Sequence, residues 1–401
     1  MRAVIKKGVA VGRVTAPPSK SMAHRLLIAA ALAPGESIID NISDCEDVLA
    51  SRDCLVALGA SIEIDGTKAI VRGVDPRTAE PSGELFARES GSTARFIIPI
   101  AWLSGRDVTL RGSEKLLSRP MSVYEELAEE KGLGFRNTGA GIELSGRFIP
   151  SDLTVRGDVS SQFISGILFT LPFAEGDVTL SITGKIESRS YIDMTLIAMR
   201  SFGVFAEWIA EDKILVKSGG YLPRKERVEG DYSASAFTEA LNLIGGEVEQ
   251  LGLSEESAQG DRVYRDIFPR LNDNPTVSVA DCPDLAPILM AMAAELGGAV
   301  FTDTARLKIK ESDRAEAMRE ELSKLGARIT VEDNRVTVHP SVLHTPSEPI
   351  SSHNDHRIVM SLAVLLTRYG GVIEGAQAVR KSYPTFFEDL SSLGIEVGIS
   401  E

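Results

Sequence analysis

The sequence predicts an α/β protein of two similar domains, and three observations lead to this fold class. First, an apolar helical run that stops at a glycine recurs six times along the 401 residues. Second, a β-branched run typical of a strand follows these glycines, and a second, amphipathic helix follows in most units. Third, the proline- and charge-rich stretch YLPRKERVEGD lies near residue 228 and separates the six units into two groups of three.

The apolar helices are the first element of each unit. Each opens on polar residues, continues as an apolar run and stops at glycine, which ends helices readily. A helix that is apolar on nearly all sides is expected to be buried, here at the centre of its domain. The runs are SMAHRLLIAAALAPG, STARFIIPIAWLSG, SSQFISGILFTLPFAEG, SASAFTEALNLIGG, DLAPILMAMAAELGG and NDHRIVMSLAVLLTRYGG. They stop at Gly35, Gly105, Gly176, Gly246, Gly298 and Gly371, roughly 70 residues apart with one shorter interval.

Strands and second helices complete each unit. Strand-like runs such as ESIID, DVTL, EVEQL and AVFTD follow the apolar helices. The second helices combine leucines with a polar face, end on glycine or asparagine and precede another β-branched run. They are visible in CLVALGASIEI, YEELAEEKGLGF, LIAMRSFGVFAEW, IFPRLNDNPTVSV, MREELSKLGARITV and FFEDLSSLGIEV. Each unit is therefore predicted to hold two helices and several strands.

Charge and composition exclude several classes of protein. The chain has 57 acidic and 43 basic residues, a formal net charge of -14, and an ordinary apolar share of 43%. Such a chain is not expected to bind duplex nucleic acid or a membrane surface, because both need basic surface. Cys45, Cys54 and Cys282 are scattered and indicate neither a disulfide framework nor a zinc site. No apolar stretch resembles a signal peptide or a membrane span, which favours a soluble, cytoplasmic protein.

Familiar cofactor and nucleophile motifs do not occur in the sequence. There is no GxxxxGK[ST] phosphate loop, no GxSxG and no HExxH. The five histidines have no spacing typical of metal ligands. No cofactor and no metal site is therefore predicted.

Polar residues instead collect at the amino ends of the apolar helices. Taken singly, each Ser, Asp or Asn there is expected to be an N-cap. Taken together, they indicate anion binding, because free N–H groups and the positive helix end favour phosphate or carboxylate. For Asp284 two interpretations stay open, an N-cap or an acid–base group. The positions are Lys20 and Ser21, Ser90 to Thr93, Ser160 to Gln162, Asp231 with Ser233, Asp284, and Asn354 with Asp355.

Basic residues also lie where a turn or apolar packing is expected. Arg25 enters an apolar run, where an unpartnered charge is costly. Arginine suits the bidentate grip of a carboxylate or phosphate, although each could equally form a surface ion pair. The other residues of this kind are Arg95, Arg119 and Arg357, and the densest charged stretch runs from Lys308 to Arg314.

Eight motifs, in order along essentially the whole chain, resemble the 5-enolpyruvylshikimate-3-phosphate synthase family. They are PSKSMAHR, ESGSTAR, SSQF, SRSYIDMTL, GDYSAS, KIKESDR, NDHR and KSYPTFF. The resemblance implies two similar domains, each of three βαβαββ repeats in an inverse α/β barrel, with the active site in the interdomain cleft. Two crossovers between the domains are implied, so that residues 1–18 and 229–401 form one domain and residues 19–228 the other.

The resemblance also implies a reaction and a set of site residues. The enolpyruvyl group of phosphoenolpyruvate passes to the 5-hydroxyl of shikimate 3-phosphate, through a tetrahedral intermediate, and phosphate is released. The implied catalytic residues are Lys20, Asp284 as base for the 5-hydroxyl, and Glu311 as acid for the methylene carbon. Those implied to bind shikimate 3-phosphate are Lys20, Ser21, Arg25, Ser160, Ser161, Gln162, Ser188, Tyr191, Asp284 and Lys310. Those implied to bind phosphoenolpyruvate are Lys20, Gly91, Arg119, Gln162, Arg314, Arg357 and Lys381.

Two positions depart from the family pattern. Glu89 replaces a neutral amide before the SGS turn, and Arg306 replaces an asparagine, so neither is assigned to the site.

A sister enzyme that transfers enolpyruvyl to a UDP-sugar typically has a reactive cysteine in the loop GSEKLLSRPM, which has none here. The RNA 3'-phosphate cyclase group is disfavoured by the acidic charge. A non-catalytic metabolite-binding protein would not need the acid–base residues. A monomer is expected.

Overall fold

The computed structural model describes residues 1–401, and the chain divides into two compact units. Unit 1 consists of Met1–Pro17 and Gly230–Glu401, and unit 2 consists of Pro18–Glu229. The resemblance predicts that the chain divides between residues 18 and 19 and between residues 228 and 229. Both units contain helices and mixed sheets, so the predicted α/β class is confirmed.

Thirteen α-helices and five short 3-10 segments form the helical part of the protein. The helices of unit 2 are α1 (Lys20–Ala31), α2 (Glu46–Ala57), α3 (Gly91–Leu103), α4 (Glu114–Leu117), α5 (Ser122–Lys131), α6 (Ser161–Leu168) and α7 (Arg189–Ser201). Those of unit 1 are α8 (Tyr232–Leu243), α9 (Tyr264–Ile267), α10 (Ala286–Leu296), α11 (Arg314–Ser323), α12 (His356–Tyr369) and α13 (Phe386–Ser392). The 3-10 segments are Leu171–Phe173, Gly260–Val263, Phe268–Asp273, Ala305–Ile309 and Ala376–Lys381. None of these helices combines the length and apolar character that crossing a bilayer requires.

Twenty-two strands form six sheets, three in each unit. They begin with β1 (Arg2–Ile5) and β2 (Val11–Thr15) in unit 1. Those of unit 2 are β3 (Gly35–Asp40), β4 (Ser61–Asp65), β5 (Lys68–Gly73), β6 (Glu84–Phe86), β7 (Val108–Arg111), β8 (Gly134–Asn137), β9 (Ile142–Ser145), β10 (Leu153–Arg156), β11 (Val178–Thr183), β12 (Ala206–Ala210), β13 (Lys213–Val216) and β14 (Lys225–Arg227). The remainder of unit 1 are β15 (Glu247–Leu251), β16 (Thr276–Ser278), β17 (Ala299–Thr302), β18 (Arg328–Glu332), β19 (Arg335–His339), β20 (Ile350–Ser351), β21 (Gly371–Glu374) and β22 (Val397–Ser400).

Three of the six sheets have the same strand order. In the sheet β6-β7-β9-β8, the first two strands are parallel and are joined through α3, and a closing antiparallel hairpin follows α5. The sheets β10-β11-β13-β12 and β16-β17-β19-β18 repeat this order. A helix between two parallel strands and a tight antiparallel hairpin are the connections expected for these pairings.

Distant parts of the chain complete two further sheets. In unit 2, β14 pairs in parallel with β3 and takes the place of the first strand of that repeat. In unit 1, β1 pairs with both β21 and β22 and takes the place of the last strand. The amino-terminal residues are therefore part of the sheets of unit 1, where β2 also pairs with β15.

The repeat that contains α8 lacks the closing hairpin. Its sheet has only β2 and β15, and the chain continues through α9 and short 3-10 segments. This shorter repeat accounts for the short interval between Gly246 and Gly298. The α-helix expected from IFPRLNDNPTVSV does not form: α9 ends at Ile267, and Phe268–Asp273 is a 3-10 segment, because Pro269 has no N–H for the α-helical hydrogen-bond ladder.

One apolar helix is also shorter than expected. The run beginning at Ser160 was predicted to continue to Gly176, but α6 ends at Leu168. Leu171–Phe173 forms a 3-10 turn around Pro172, which has no N–H to donate. The other predicted apolar helices are confirmed, and almost every residue of α3, α10 and α12 is buried. Their uniform apolar character suits this central position, since burial of apolar surface stabilises the fold.

Candidate active site

Three apolar helices of unit 2 begin at serine N-caps. Ser19 accepts from Met22 N at the start of α1, Ser90 from Thr93 N at the start of α3, and Ser160 from Gln162 N at the start of α6. The caps leave other N–H groups at each helix start for a ligand, together with the positive end of the helix dipole. The first helical residues are Lys20, Gly91 and Ser161.

Lys20 is paired at the start of α1. Its Nζ lies 3.0 Å from Asp47 Oδ2 in the first turn of α2, and each side chain is only 11% exposed. The sequence contained no signal for Asp47, which follows Lys20 by 27 residues. A lysine and a carboxylate in such contact can pass a proton between themselves and a substrate.

Arg25 is buried inside unit 2 and holds α1 against α7. Its Nε donates to Thr195 Oγ1 at 2.8 Å, its Nη1 to the Ser21 carbonyl at 2.6 Å and its Nη2 to the Tyr191 carbonyl at 2.9 Å. The guanidinium also lies over the rings of Phe96 and Tyr191. Burial lowers the pKa of Arg25 to about 10. Three protein acceptors therefore direct this arginine, and its remaining N–H groups are left for a ligand.

Gln162, Arg95 and Ser92 connect α6 to α3. Gln162 Oε1 accepts from Arg95 Nη1 at 2.6 Å, and Gln162 Nε2 donates to Ser92 Oγ at 2.9 Å. Arg95 also lies over the ring of Phe163. The orientation of the Gln162 amide is thus set by two neighbours at the start of α3.

The Arg119 guanidinium lies directly against Gly91. A Cβ added to Gly91 would come within 2.6 Å of Arg119 Nη1 and 3.6 Å of Arg95 Nη1. Glycine is required here by this close approach rather than by its backbone angle, since Gly91 has no positive φ.

Gly91→Ala is expected to weaken the binding of a small anion at the start of α3 about tenfold, equal to ~1.4 kcal/mol of binding free energy, because the methyl group displaces the Arg119 guanidinium. Folding should be nearly unchanged, since the displaced group is the flexible end of a side chain. Calorimetric titration with inorganic phosphate measures the change. Gly176→Ala is the control, because nothing lies within 4 Å of the added methyl group. An unaltered dissociation constant for Gly91→Ala would contradict the expectation.

The remaining predicted residues of unit 2 lie at the starts of α1, α6 and α7. Ser160 and Ser161 are buried, and Ser188 is 2% exposed. Ser188 precedes α7 with φ of 53°, a left-handed conformation that costs energy in a residue other than glycine. Ser21 and Tyr191 present their carbonyls to Arg25, as described above.

In unit 1, Asp284 is surrounded by cations. Its Oδ1 lies 2.7 Å from Arg314 Nη1 and 3.5 Å from Lys310 Nζ. Its Oδ2 lies 2.8 Å from Arg357 Nη2, and its carbonyl accepts from Arg357 Nη1. Helix α10 begins only at Ala286 and has Leu285 at the N-cap position. Asp284 is therefore not the N-cap of α10, and its role as an acid–base group stays a prediction.

Arg314 contacts three carboxylates and is 1% exposed. Its Nη1 pairs with Asp284, its Nη2 with Glu311 at 2.7 Å and its Nε with Asp355 at 2.9 Å. Asp355 also caps α12 through Arg357 N. Burial opposes ionisation of Asp355, but the charge and hydrogen bond of Arg314, together with the His356 charge, outweigh it and lower the pKa of that carboxyl.

Lys310 and Lys381 lie beside this group. Burial lowers the pKa of Lys310 to about 8, and the charges of Arg314 and Arg306 add to the effect of burial. An amine with this pKa can exchange a proton near neutral pH. Lys381 Nζ donates at 2.6 Å to the carbonyl of Asn354, the residue before Asp355.

The structure brings several of the predicted site residues into direct contact within each unit. Direct contacts within unit 2 link Ser21, Arg25 and Tyr191, and, through Arg95, Gly91, Arg119 and Gln162. Direct contacts within unit 1 link Asp284, Lys310, Glu311, Arg314 and Arg357. Of the two departures from the family pattern, Glu89 precedes α3 and Arg306 lies in the segment Ala305–Ile309.

Sequence reasoning missed a buried polar chain behind Lys20. His24 Nδ1 lies 2.7 Å from Ser51 Oγ, which lies 2.8 Å from Thr93 Oγ1. Burial, followed by the charges of Lys20 and Arg25, lowers the pKa of His24 well below its ordinary value. His24 is therefore neutral at physiological pH and adds no charge beside Lys20.

The chain is similar to known proteins along nearly its whole length. The family model described as EPSP synthase (3-phosphoshikimate 1-carboxyvinyltransferase) matches residues 5–390. Curated proteins named 3-phosphoshikimate 1-carboxyvinyltransferase from Clostridium kluyveri and Clostridium perfringens are 35% and 37% identical to it, each match covering 96% of this chain and 96% of the relative.

Solved structures show the same fold. An EPSP synthase from Acinetobacter baumannii matches with a TM-score of 0.80 and 23% identity, over 99% of this chain and 100% of that one. The enolpyruvyl transferase NikO from Streptomyces tendae matches with a TM-score of 0.77 and 15% identity, over 99% and 98%. At these identities the similarity concerns the fold alone.

Proposed function

The chain belongs to the EPSP synthase (3-phosphoshikimate 1-carboxyvinyltransferase) family, and we propose that its two side-chain clusters carry out the reaction of that family. It transfers the enolpyruvyl group of phosphoenolpyruvate to shikimate 3-phosphate, a step of aromatic amino acid biosynthesis. The observation that carries the proposal is Asp284, a carboxylate held by Lys310, Arg314 and Arg357. Such a group combines a base with cations that bind and stabilise anionic reactants.

The reaction proceeds by addition and then elimination. Asp284 removes the proton of the 5-hydroxyl. The hydroxyl oxygen attacks the carbon of phosphoenolpyruvate that bears the phosphate. Glu311 delivers a proton to the methylene carbon, which gives a tetrahedral intermediate with a methyl group. Glu311, now a carboxylate, takes a proton back from the methyl group as phosphate departs, which restores the double bond. The proton held by Asp284 leaves with the phosphate. Glu311 contacts Arg314 at 2.7 Å, and this arginine also contacts Asp284.

The family resemblance assigns residues to each of the two anionic substrates. Hydroxyls and N–H groups at helix starts suit the phosphate of shikimate 3-phosphate. The residues assigned to this substrate are Lys20, Ser21, Arg25, Ser160, Ser161, Gln162, Ser188 and Tyr191 within unit 2, and Asp284 and Lys310 within unit 1. Those assigned to phosphoenolpyruvate are Lys20, Gly91, Arg119 and Gln162 within unit 2, and Arg314, Arg357 and Lys381 within unit 1.

The test is a phosphate-release assay with purified protein. We expect phosphate to appear from phosphoenolpyruvate only when shikimate 3-phosphate is also present. No release with both substrates, or turnover with a UDP-sugar in place of shikimate 3-phosphate, would contradict the proposed function.

The position and burial of the cysteines favour shikimate 3-phosphate over a UDP-sugar as the acceptor of the enolpyruvyl group. Cys45, Cys54 and Cys282 are all buried, and none lies in the loop before α5. Burial raises the pKa of Cys45 to about 11 and that of Cys54 to about 12. These thiols are protonated at neutral pH and are poor nucleophiles.

A further inference from the structure

A short loop between β20 and α12 contacts two of the cations assigned to phosphoenolpyruvate. It consists of residues 352–355, and α12 begins directly after it. The Asn354 carbonyl accepts from Lys381 Nζ at 2.6 Å. Asp355 Oδ1 accepts from Arg357 N at 2.9 Å and so caps α12. The positions of Lys381 and Arg357 therefore depend on the path of this loop.

The backbone of the loop is strained at two consecutive residues. His353 and Asn354 have φ of 47° and 53°, in the left-handed region that residues other than glycine rarely adopt. Such a conformation costs energy and persists only where surrounding contacts hold it. The loop is therefore expected to relax when those contacts are removed.

The carboxylate of Glu321 on α11 supplies contacts of this kind. Its side chain is fully buried, and its Oε1 lies 2.8 Å from His353 Nε2. Its Oε2 accepts from Ser351 N at 2.9 Å, at the residue where β20 ends and the loop starts. The Lys324 ammonium lies 2.8 Å from the same Oε2 and compensates the buried charge. Glu321 thus binds both the backbone before the loop and a side chain within it.

Helix α11 contacts the loop at both of its ends. Arg314, the first residue of α11, donates through Nε to Asp355 at 2.9 Å. Glu321 follows Arg314 by seven residues, about two helical turns, and contacts His353. The helix that carries Arg314 therefore also fixes the loop that precedes Arg357.

We propose that Glu321 and His353 are positioning residues, which hold the loop of residues 352–355 so that Lys381 and Arg357 are in place for phosphoenolpyruvate. The inference rests on the proposed function, which assigns both cations to that substrate. Neither Glu321 nor His353 touches the reacting groups in that proposal. Their effect passes through the Asn354 carbonyl to Lys381 and through the α12 cap to Arg357.

The contact between Glu321 and His353 does not require one protonation state of the imidazole. Burial opposes ionisation of Glu321, but hydrogen bonds from His353, Lys324 and Ser351 N outweigh it and lower the pKa of that carboxyl. The hydrogen bond with Glu321 raises the pKa of His353, against the opposing effect of burial. Glu321 is therefore ionised at neutral pH, and Nε2 of His353 has a proton to donate in the charged form and in one neutral tautomer.

The first test compares His353→Ala with His353→Gln. Alanine removes the donor, whereas the glutamine amide offers one at a similar distance from the backbone. At pH 7 we expect His353→Ala to raise the KM for phosphoenolpyruvate about tenfold, with kcat and the KM for shikimate 3-phosphate changed less than about threefold. We expect His353→Gln to restore the KM for phosphoenolpyruvate to within about twofold of wild type. Both variants have a residue other than glycine at the same φ, so their difference isolates the side-chain contact.

His344→Ala is the matched control for the histidine variants. His344 is exposed, also belongs to unit 1 and contacts the carbonyl of its neighbour Thr345. It should leave the KM for phosphoenolpyruvate at the wild-type value. An unchanged KM in folded His353→Ala, or equal KM values for His353→Ala and His353→Gln, would overturn the inference.

The second test removes the charge of the carboxylate. We expect Glu321→Gln to raise the KM for phosphoenolpyruvate about five- to tenfold, because the amide is a weaker acceptor for His353 and Ser351 N. Glu320→Gln is the matched control, since Glu320 is the preceding residue of α11, is exposed and lies 3.9 Å from His353. Equal KM values for the two glutamate variants would overturn the inference. If Glu321→Gln does not fold, the histidine variants decide the question.

Hydrogen exchange separates this inference from the proposed function. Exchange of the amides of residues 350–357 is followed by mass spectrometry in protein without substrate. We expect about tenfold faster exchange in His353→Ala, and wild-type exchange in His353→Gln and His344→Ala. Unchanged exchange in His353→Ala would overturn the inference.

The two readouts fail in different ways. If wild-type protein does not turn over the substrates, the proposed function fails, while hydrogen exchange still decides whether His353 holds the loop. If wild-type protein is active and the KM for phosphoenolpyruvate does not respond to His353→Ala, the proposed function stands and the inference fails.

Discussion

Lys20→Met is expected to lower kcat by about 10²–10⁴-fold, because the proposed function gives this amine a role in proton transfer and in binding phosphoenolpyruvate. Methionine has nearly the length of lysine, so the packing at the start of α1 should be kept. Asp47 loses its partner at 3.0 Å, and we expect about 1–2 kcal/mol of lost stability. Stopped-assay kinetics and denaturant unfolding measure the two effects separately.

Two controls distinguish the chemistry of Lys20 from its pairing. Lys115→Met changes an exposed lysine of α4 and should leave kcat and stability at wild-type values. Asp47→Asn keeps Lys20 and removes only the partner charge, so kcat should fall less than tenfold. Wild-type turnover by Lys20→Met would rule out a catalytic role for this lysine.

Arg314→Met is expected to lower the free energy of unfolding by about 3–5 kcal/mol at neutral pH and to abolish measurable turnover. The arginine is 1% exposed and neutralises Asp284, Glu311 and Asp355, which would otherwise repel one another in a buried site. Arg314→Lys keeps the charge with fewer donors and should lose less stability. Denaturant unfolding compares the variants.

The pH dependence of this loss has a definite sign. Asp355 has a lowered pKa in the folded protein, so its contribution to stability is present above its unfolded pKa and is lost as the pH falls through its folded pKa. Without Arg314, the buried Asp355 binds a proton more readily. The deficit of Arg314→Met should therefore be largest at neutral pH and shrink toward about pH 4.

Arg319→Met is the matched control for Arg314→Met, because this arginine is on the same helix but is exposed and pairs only with exposed Glu316. Its effect should stay within about 0.5 kcal/mol. A deficit of Arg314→Met that is the same at pH 4 and at neutral pH would contradict the carboxylate repulsion proposed here.

Local features of the chain were predictable from the sequence. The apolar helices, most of their glycine ends and the serine and aspartate caps depend on residues within a few positions of one another. Ser90, Ser160 and Asp355 are caps as expected. The helix expected to reach Gly176 ends at Leu168, because Pro172 has no N–H with which to continue the helical hydrogen bonds.

Partners of buried charges were not predictable from local sequence. Lys20 and Asp47 are 27 residues apart, and Asp284 and Arg357 are 73 residues apart. Arg314 and Asp355 are 41 residues apart, and both are buried. Burial depends on the packing of distant elements, and a charge buried without a partner is costly.

The sequence by itself therefore determined the fold class, the order of the repeats and which helix starts carry polar groups. Helix periodicity, capping and glycine ends act over a few residues, and so they are written locally. Only the tertiary structure decided that Asp284 is held by cations rather than capping α10, that β1 and β14 complete distant sheets, and that the repeat of α8 lacks its hairpin. These outcomes depend on contacts between remote segments, where charge compensation and strand pairing become possible only after the chain has folded.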